Sequence, residues 1–300
     1  MSMGLGELGE VAGISKVMLG KEQGEGQGLP GLLIENPHCR ATVALQGAQI
    51  LDFQAAGQRP LLWLSERALL TPGKAIRGGI PLCFPWFGSH PQDASKPAHG
   101  FARNREWQLS AASLGEQGHT LVFTLNADAA TRALWPHDFR AELHMELGQT
   151  LCLSLHVHNT GAQPFSFTFA FHSYFPVADI RQVCVEGLDG SRCIDQLAAT
   201  RTPQPYGGPV TFAGETDRIY LAARGDYRII DMVSGGETRI KAPGCRSAIV
   251  WNPWAEKTAR LGDMHPEGWQ GMVCVECGNV ESDRVTVGAG QGVECGVVLG

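Results

Sequence analysis

Residues 151–175 read LCLSLHVHNTGAQPFSFTFAFHSYF and contain the two clearest strand patterns in the chain. In Leu151–His158, apolar side chains alternate with Cys, Ser and His, which is the period of two expected of a half-buried β-strand. In Phe165–Phe175, four phenylalanines share one face. Gly161–Gln163 between the two runs favours a tight connection, so we expect the two strands to form a hairpin.

Nine further runs are strand-like, because they are short, apolar and bounded by turn residues. They are Ala41–Leu45, Gln49–Phe53, Leu61–Leu64, Thr120–Leu125, Arg140–Leu147, Arg228–Met232, Ala248–Trp251, Met272–Glu276 and Val293–Leu299. With 38 glycines and 17 prolines in 300 residues, few windows are long enough for an uninterrupted helix. The sequence therefore predicts an all-β fold, built as one large antiparallel β-sandwich.

The N-terminal 28 residues differ from the rest, since they contain eight glycines and little apolar continuity. We expect residues 1–28 to be a flexible leader and residues 29–300 to form a single sandwich domain. Gly4, Gly6 and Gly9 spell GxGxxG, but no strand precedes them and no βαβ unit follows. They therefore do not predict a dinucleotide site.

Composition excludes several classes of partner. The chain is 43% hydrophobic, but its apolar runs are too short for a membrane-spanning helix, so no membrane partner is expected. A net charge of −6 and the lack of a Lys/Arg stripe argue against nucleic acid. No secretory signal is visible, and nine cysteines without framework spacing are typical of reduced thiols, which predicts a cytoplasmic protein.

Ile76–Trp107, IRGGIPLCFPWFGSHPQDASKPAHGFARNREW, is interrupted by Gly and Pro too often for a regular element and is predicted to be mostly a shaped loop. Its aromatic residues are interspersed with basic ones. From Lys74 to Arg105 there are five basic residues and one acid, a local charge of +4 in an acidic chain. A positive patch with aromatic walls suits a small anion, and the alternative is a solvated loop with stacked arginines.

Two residues stand out as candidate proton-transfer groups. His172 follows the phenylalanine row, so packing would hold it in place as a catalytic group requires. The alternative is an ordinary histidine at a sheet surface. Glu276 lies in the otherwise apolar run GMVCVECG, residues 271–278, where a carboxylate needs a partner or a function.

The cysteines and histidines do not predict a metal site. Cys274 and Cys277 are three residues apart on a strand and should point to opposite faces. His156 and His158 share a face without a third ligand nearby, so we expect a solvent-facing pair. The chain also has no P-loop, GxSxG elbow or HExxH motif, which leaves nucleotide, serine-hydrolase and zincin chemistry unsupported.

Six segments, in order along the chain, carry a resemblance to a known family. They are AIRGGIPLCFPWFG (75–88), PAHGFAR (97–103), WPHDF (135–139), FAFHSYF (169–175), ETDRIY (215–220) and VCVE (273–276). From about Leu32 onward the chain resembles the hexose-6-phosphate mutarotases, the glucose-6-phosphate 1-epimerases of the aldose 1-epimerase superfamily. The resemblance implies a galactose-mutarotase-like supersandwich that is monomeric and holds the sugar on the concave face of its larger sheet.

The resemblance assigns proton transfer to two residues. His172 would be the general acid that protonates the ring oxygen, and Glu276 the base that takes the proton of the anomeric hydroxyl. At ordinary pKa values of about 4.3 and 6.5, the glutamate is ionised and the histidine partly protonated at neutral pH. The pair would open the hemiacetal to an aldehyde, and reclosure after rotation about C1–C2 would give the other anomer without a cofactor or metal.

Substrate binding is assigned to the opening loop and one later strand. Arg77 and Arg103 match the arginines that hold the phosphate, and Asp217 matches an aspartate that binds sugar hydroxyls. His99 would lie beside the anomeric site. Ala98 stands where some family members have a glutamine, so a hydrogen bond to the sugar from that position is absent here.

Two other functions stay open on the sequence alone. One is aldose 1-epimerase activity on unphosphorylated sugars, against which the two arginines argue. The other is a noncatalytic carbohydrate-binding sandwich, in which Trp86, Trp107 or Trp251 would stack on a sugar. A glutamate in an apolar strand argues against this second alternative.

Overall fold

Antiparallel strands dominate residues 10–20 and 28–300, the parts of the chain that this computed structural model describes. The strands are, in chain order, β1 Ile14–Leu19, β2 Leu29–Glu35, β3 Cys39–Ala44, β4 Gln49–Ala55, β5 Leu82–Cys83, β6 Gln108–Gly115, β7 Gly118–Asn126, β8 Phe139–Leu147, β9 Leu151–Asn159, β10 Phe165–Phe167, β11 Phe169–Phe171, β12 Tyr174–Pro176, β13 Val183–Glu186, β14 Arg192–Asp195, β15 Gln204–Pro205, β16 Val210–Thr211, β17 Thr216–Leu221, β18 Asp226–Asp231, β19 Gly236–Lys241, β20 Ser247–Asn252, β21 Met272–Asn279, β22 Val285–Val287 and β23 Gly292–Leu299. Two short helices, α1 Ala129–Leu134 and α2 Trp254–Thr258, lie in connections.

The described strands form four antiparallel sheets. A nine-stranded sheet has the order β16-β13-β18-β19-β23-β9-β8-β7-β6, and an eight-stranded sheet has the order β15-β14-β17-β20-β21-β11-β5, with β12 also paired to β21. A four-stranded sheet, β1-β2-β3-β4, and the pair β10-β22 complete the set. This architecture confirms the predicted all-β antiparallel fold.

The main core joins the three larger sheets. Val43 of β3, Leu153 of β9 and Val275 of β21 belong to one cluster of buried side chains. Each such side chain contributes roughly 1.5–3 kcal/mol through removal from water. β8 and β9 alternate between buried and more exposed residues, as the period of two predicts, whereas every residue of β21 is buried. Strand β21 is therefore covered on both faces.

The predicted hairpin is wrong, although both runs are extended. Strand β9 pairs with β8 and β23, while Phe165–Phe175 divides into β10, β11 and β12, which pair with strands of other sheets. Part of the Phe165–Phe175 backbone instead forms hydrogen bonds with the loop of residues 76–107. The Thr168 N–H donates to the carbonyl of Pro85, and the His172 N–H donates to that of Pro81. Alternation of side chains predicts a strand but does not select its partner.

The predicted leader is wrong for Ile14–Leu19, because these residues form β1 and pair with β2 over six positions. Residues 1–9 and 21–27 of this segment lie outside the described part of the chain, and so does the GxGxxG stretch at Gly4, Gly6 and Gly9. The strand predicted at Leu61–Leu64 is also wrong, since Leu64 makes only a single bridge, to Gly78.

Residues 76–107 are mostly loop, as the sequence predicts. They contain only β5 and one short 3-10 helix, Ala102–Asn104. Gly100 adopts φ of 73°, and a Cβ built there would clash with the carbonyl oxygen of Phe84. Only glycine fits this close approach without movement of the backbone.

Across residues 10–20 and 28–300, no helix is both long and apolar enough to cross a membrane.

Candidate active site

An open cavity of about 540 Å³ lies on one face of the eight-stranded sheet, within the size range of small-molecule sites. All six residues singled out from the sequence line it: Arg77, His99, Arg103, His172, Asp217 and Glu276. The expectation that the site lies on the larger sheet is wrong, since the nine-stranded sheet does not contribute these residues.

Strand register explains why residues far apart in sequence share this cavity. Asp217 of β17 lies opposite Trp251 of β20, and Trp251 lies opposite Cys274 of β21. Ile249, two residues before Trp251, is opposite Glu276. Because directly paired residues, and residues two apart on a strand, share a face, all five side chains point to the cavity side of the sheet.

His172 and Glu276 form a buried pair at the floor of the cavity. The His172 Nε2 lies 3.4 Å from the Glu276 Oε1, and both side chains are less than one-tenth exposed. The other ring nitrogen, Nδ1, and the other carboxylate oxygen, Oε2, have no hydrogen-bond partner among the described residues. Both are therefore buried polar atoms whose hydrogen-bonding capacity is unsatisfied within the described part of the chain.

Burial moves both groups of the pair toward their neutral forms. Desolvation raises the pKa of Glu276 well above its usual value, and the nearby Asp217 adds to the rise. Desolvation lowers the pKa of His172 well below its usual value, and the neighbouring His99 lowers it further. The pair therefore favours a net charge of zero, with one transferable proton held between the two residues. The ordinary pKa values assumed from the sequence do not apply here.

Tyr174 supports the histidine and was missed by the sequence analysis. Its ring stacks on that of His172 with centroids 4.7 Å apart and an angle of 6° between the planes. The Trp63 ring also stacks on that of Tyr174, with centroids 5.8 Å apart. The Tyr-Phe pair in the FAFHSYF segment was a signal for this residue, but the sequence did not show which way the side chain would pack.

His99 reaches the cavity from the loop in a left-handed conformation, φ 65°. Its Nδ1 accepts a hydrogen bond from the Gly88 N–H at 3.3 Å, so its Nε2 carries the ring proton of the neutral form. Burial, followed by the charges of Arg103 and Arg77, lowers the pKa of His99 to about 3. With its ring 6.0 Å from that of His172, His99 can act as a neutral hydrogen-bond donor beside the acid–base pair.

Arg77 is held on two sides. Its Nε and Nη2 contact the Asp263 carboxylate at 3.3 Å and 3.1 Å, and its Nη1 donates to the Tyr174 hydroxyl at 3.2 Å. The guanidinium carbon lies 5.9 Å from the ring centroid of Trp251, within range of a cation–π contact. Asp263, 186 residues away in sequence, carries no motif that could have predicted this pairing.

Arg103, the second predicted arginine, is less constrained. Its Nη2 donates to the carbonyl oxygen of Ala98 at 3.1 Å, and its buried Nε has no partner among the described residues. Two guanidinium groups therefore border the same cavity as the acid–base pair.

Asp217 is part of a polar network at the cavity wall. Its Oδ1 accepts from the Gln196 side-chain amide, and its Oδ2 lies 3.9 Å from the Lys257 Nζ, which also pairs with Glu215 at 2.9 Å. Burial raises the pKa of Asp217, although the Gln196 hydrogen bond opposes this. Gln196 and Lys257 were not predicted, because neither stands in a recognisable pattern.

The cysteines flanking Glu276 are packed within the sheet. Cys274 and Cys277 are both buried and, as predicted, alternate to opposite faces of β21. Among the described residues, no group of three or more His, Cys, Asp or Glu side chains is arranged to hold a metal ion. His156 and His158 lie on the more exposed face of β9, as expected, and the His156 ring also packs 4.3 Å from that of His144 on the adjacent strand.

Comparison with known proteins identifies a family and several relatives. The model of the aldose 1-epimerase family matches residues 31–298. A curated Escherichia coli protein named "Putative glucose-6-phosphate 1-epimerase" is 38% identical over 259 residues, which cover 85% of each chain.

Two solved structures share the fold. A Salmonella typhimurium protein described as a "putative mutarotase" superposes with a TM-score of 0.87 at 32% identity, over 97% of this chain and 94% of that one. A galactose mutarotase-like protein from Lactobacillus casei gives 0.69 at 17% identity, over 90% and 99%. The galactose-mutarotase-like fold expected from the sequence is confirmed. Because the family model spans most of its length, the chain belongs to the aldose 1-epimerase family.

Proposed function

We propose that this chain interconverts the α and β anomers of a hexose 6-phosphate, with glucose 6-phosphate as the first substrate to test. The observation that carries the proposal is one cavity that combines a buried His–Glu pair with two arginines. The relatives named for glucose 6-phosphate support the choice of sugar.

The pair supplies the proton transfers. Glu276 takes the proton from the anomeric hydroxyl while His172 gives one to the ring oxygen, and the bond between C1 and that oxygen breaks to leave an aldehyde. Rotation about C1–C2 exposes the other carbonyl face, and the same transfers in reverse close the ring. The form that reacts, with a charged histidine and a charged glutamate, has the same net charge as the neutral pair. A proton shift across the 3.4 Å between them therefore produces it without uptake from solvent.

Arg77 and Arg103 bind the phosphate in this proposal, since guanidinium groups match phosphate oxygens in two-point geometry. Anchoring the phosphate turns C1, with its hydroxyl and the ring oxygen, toward the His172–Glu276 pair, so that binding energy is used to orient the reacting carbon. Asp217 accepts hydrogen bonds from sugar hydroxyls, and the neutral His99 donates one near the anomeric centre.

The test is exchange spectroscopy by NMR on glucose 6-phosphate at neutral pH. We expect the protein to accelerate exchange between the anomers above the spontaneous rate, and we expect Glu276→Gln to remove at least 99% of that acceleration, in keeping with loss of a general base. Glu116→Gln, which changes an exposed glutamate in the β6–β7 turn, is the matched control and should retain full activity. A fully active Glu276→Gln enzyme would contradict the assigned base.

The same experiment separates the other functions. Equal acceleration with free glucose would point to an aldose 1-epimerase without phosphate selectivity. Binding of the sugar phosphate without any acceleration would point to a noncatalytic carbohydrate-binding protein.

A further inference from the structure

Tyr174 contacts both functional ends of the cavity. Its side chain is almost fully buried, its hydroxyl accepts a hydrogen bond from Arg77, and its ring stacks on His172. Its backbone is fixed on two sides, because the Tyr174 N–H donates to the Gly79 carbonyl at 3.0 Å and the residue pairs with Cys274 in the sheet. The Trp251 ring also lies near both residues, 5.9 Å from the Arg77 guanidinium carbon and 6.0 Å from the His172 ring. Among the described residues, Tyr174 combines a hydrogen bond to Arg77 with a parallel stack on His172.

His172 needs such a support. Histidines that transfer protons are usually oriented by a hydrogen bond to their second ring nitrogen. Here Nε2 faces Glu276, and Nδ1 is buried without a partner among the described residues. The near-parallel stack on Tyr174, with the planes 6° apart and the centroids 4.7 Å apart, is a closer ring contact than those of His99 and Trp251 at 6.0 Å, and it constrains the plane of the His172 ring.

Arg77 also needs a support, because its guanidinium must present free N–H groups to the phosphate. A guanidinium has five N–H groups. Asp263 takes the Nε edge together with one N–H of Nη2, and Tyr174 takes one N–H of Nη1. One N–H on each terminal nitrogen remains for phosphate oxygens to accept.

We infer that Tyr174 is a positioning residue that couples the phosphate-binding end of the cavity to the general acid. Its hydroxyl aims the free edge of Arg77, and its ring fixes the plane of His172. This inference rests on the proposed function, which gives Arg77 and His172 those roles.

Two substitutions separate the two contacts. Tyr174→Phe keeps the stack and the charge of the site but removes the hydrogen bond to Arg77. We expect it to raise KM for glucose 6-phosphate about tenfold, the effect of losing one hydrogen bond to a charged group, with kcat within about twofold and turnover of free glucose unchanged. Tyr174→Leu removes the stack as well, and we expect kcat to fall about tenfold or more on both sugars. Tyr206→Phe, which removes a hydroxyl bonded to the Pro209 carbonyl outside the cavity, is the matched control.

Calorimetric titration with inorganic phosphate reports the Arg77 contact without catalysis, and imidazole 15N shifts report the ring of His172. Weaker phosphate binding in Tyr174→Phe, together with a His172 signal that changes only in Tyr174→Leu, supports the coupling even if the wild type fails to accelerate anomer exchange. That failure would overturn the proposed function instead. Unchanged phosphate affinity in Tyr174→Phe, or an equal loss of activity on phosphorylated and free glucose in Tyr174→Phe, would overturn the inference.

Discussion

His172 and Glu276 are two buried ionisable groups that favour a common state with a single proton. Adding a second proton leaves a buried positive charge, and removing the only proton leaves a buried negative charge. Burial therefore lowers the pKa of His172, which governs proton uptake, and raises the pKa of Glu276, which governs proton loss. The state with one proton is therefore bounded at low pH by the lowered pKa of His172 and at high pH by the raised pKa of Glu276.

This predicts the pH dependence of the proposed reaction. With ordinary pKa values, the one-proton form would be lost as pH rises through about 6.5. With the shifts seen here, that loss follows the raised pKa of Glu276 instead, so the alkaline limb of kcat should report Glu276 and the acid limb the lowered pKa of His172. The measurement is NMR exchange at saturating glucose 6-phosphate, with the spontaneous rate subtracted at each pH. A profile that peaks between about pH 4.3 and 6.5 would show that the pair keeps its ordinary pKa values.

The strands show what sequence patterns predict well. The runs that became β7, β8, β9, β20, β21 and β23 were predicted within a few residues, because period two and turn residues are local properties. Pairing is not local, and the phenylalanine run was assigned to the wrong partner for that reason. The short strands β13–β17 were missed, since runs of two to six partly exposed residues carry little pattern.

The same distinction applies to the candidate site. Glu276 could be found because a carboxylate in an apolar strand is conspicuous, and His172 because a phenylalanine row precedes it. Asp263 and Lys257 lie in or beside the short α2 segment and become site residues only through contacts across the fold. The resemblance to the family identified the two arginines. The folded structure shows in addition that one of them, Arg77, is paired with the carboxylate of Asp263.

Gly100 allows a direct test of how the loop is built. We expect Gly100→Ala to destabilise the protein by more than the roughly 1–2 kcal/mol of a left-handed alanine, because the new Cβ also clashes with the Phe84 carbonyl. Gly57→Ala is the matched control, since Gly57 has the same φ of 73° but open space around it. Urea unfolding of the two variants measures the difference in free energy of unfolding, and equal losses would show that the close approach is not restrictive.

At the scale of the whole molecule, the chain has a net charge of −6. The cavity is lined by four basic side chains, Arg77, Arg103, Arg201 and Lys257, and by four acidic ones, Asp217, Asp263, Glu276 and Glu281. A phosphorylated sugar is therefore repelled at long range, and its attraction at short range depends on direct contact with the arginines. Salt separates these two effects, because the Debye length falls from about 30 Å at 0.01 M to about 8 Å at 0.15 M.

We therefore expect kcat/KM for glucose 6-phosphate to be at least as high at 0.15 M sodium chloride as at 0.01 M. The added salt screens the distant acidic residues more completely than the partly buried arginines of the cavity. Parallel assays with free glucose, which has no charge, should be flat. A tenfold fall over this range would show that long-range attraction, rather than local contact, draws in the substrate.

The buried cysteines can serve as natural probes of local unfolding in this protein. All nine cysteines are free thiols, six of them are buried, and two of these six flank Glu276 on opposite faces of β21. A thiol reagent applied to the native protein should reach the half-buried Cys152, Cys184 and Cys193 first. Alkylation of Cys274 and Cys277, followed by mass spectrometry, then measures how often the central strand of the site comes away from its neighbours, and no label has to be introduced into the chain.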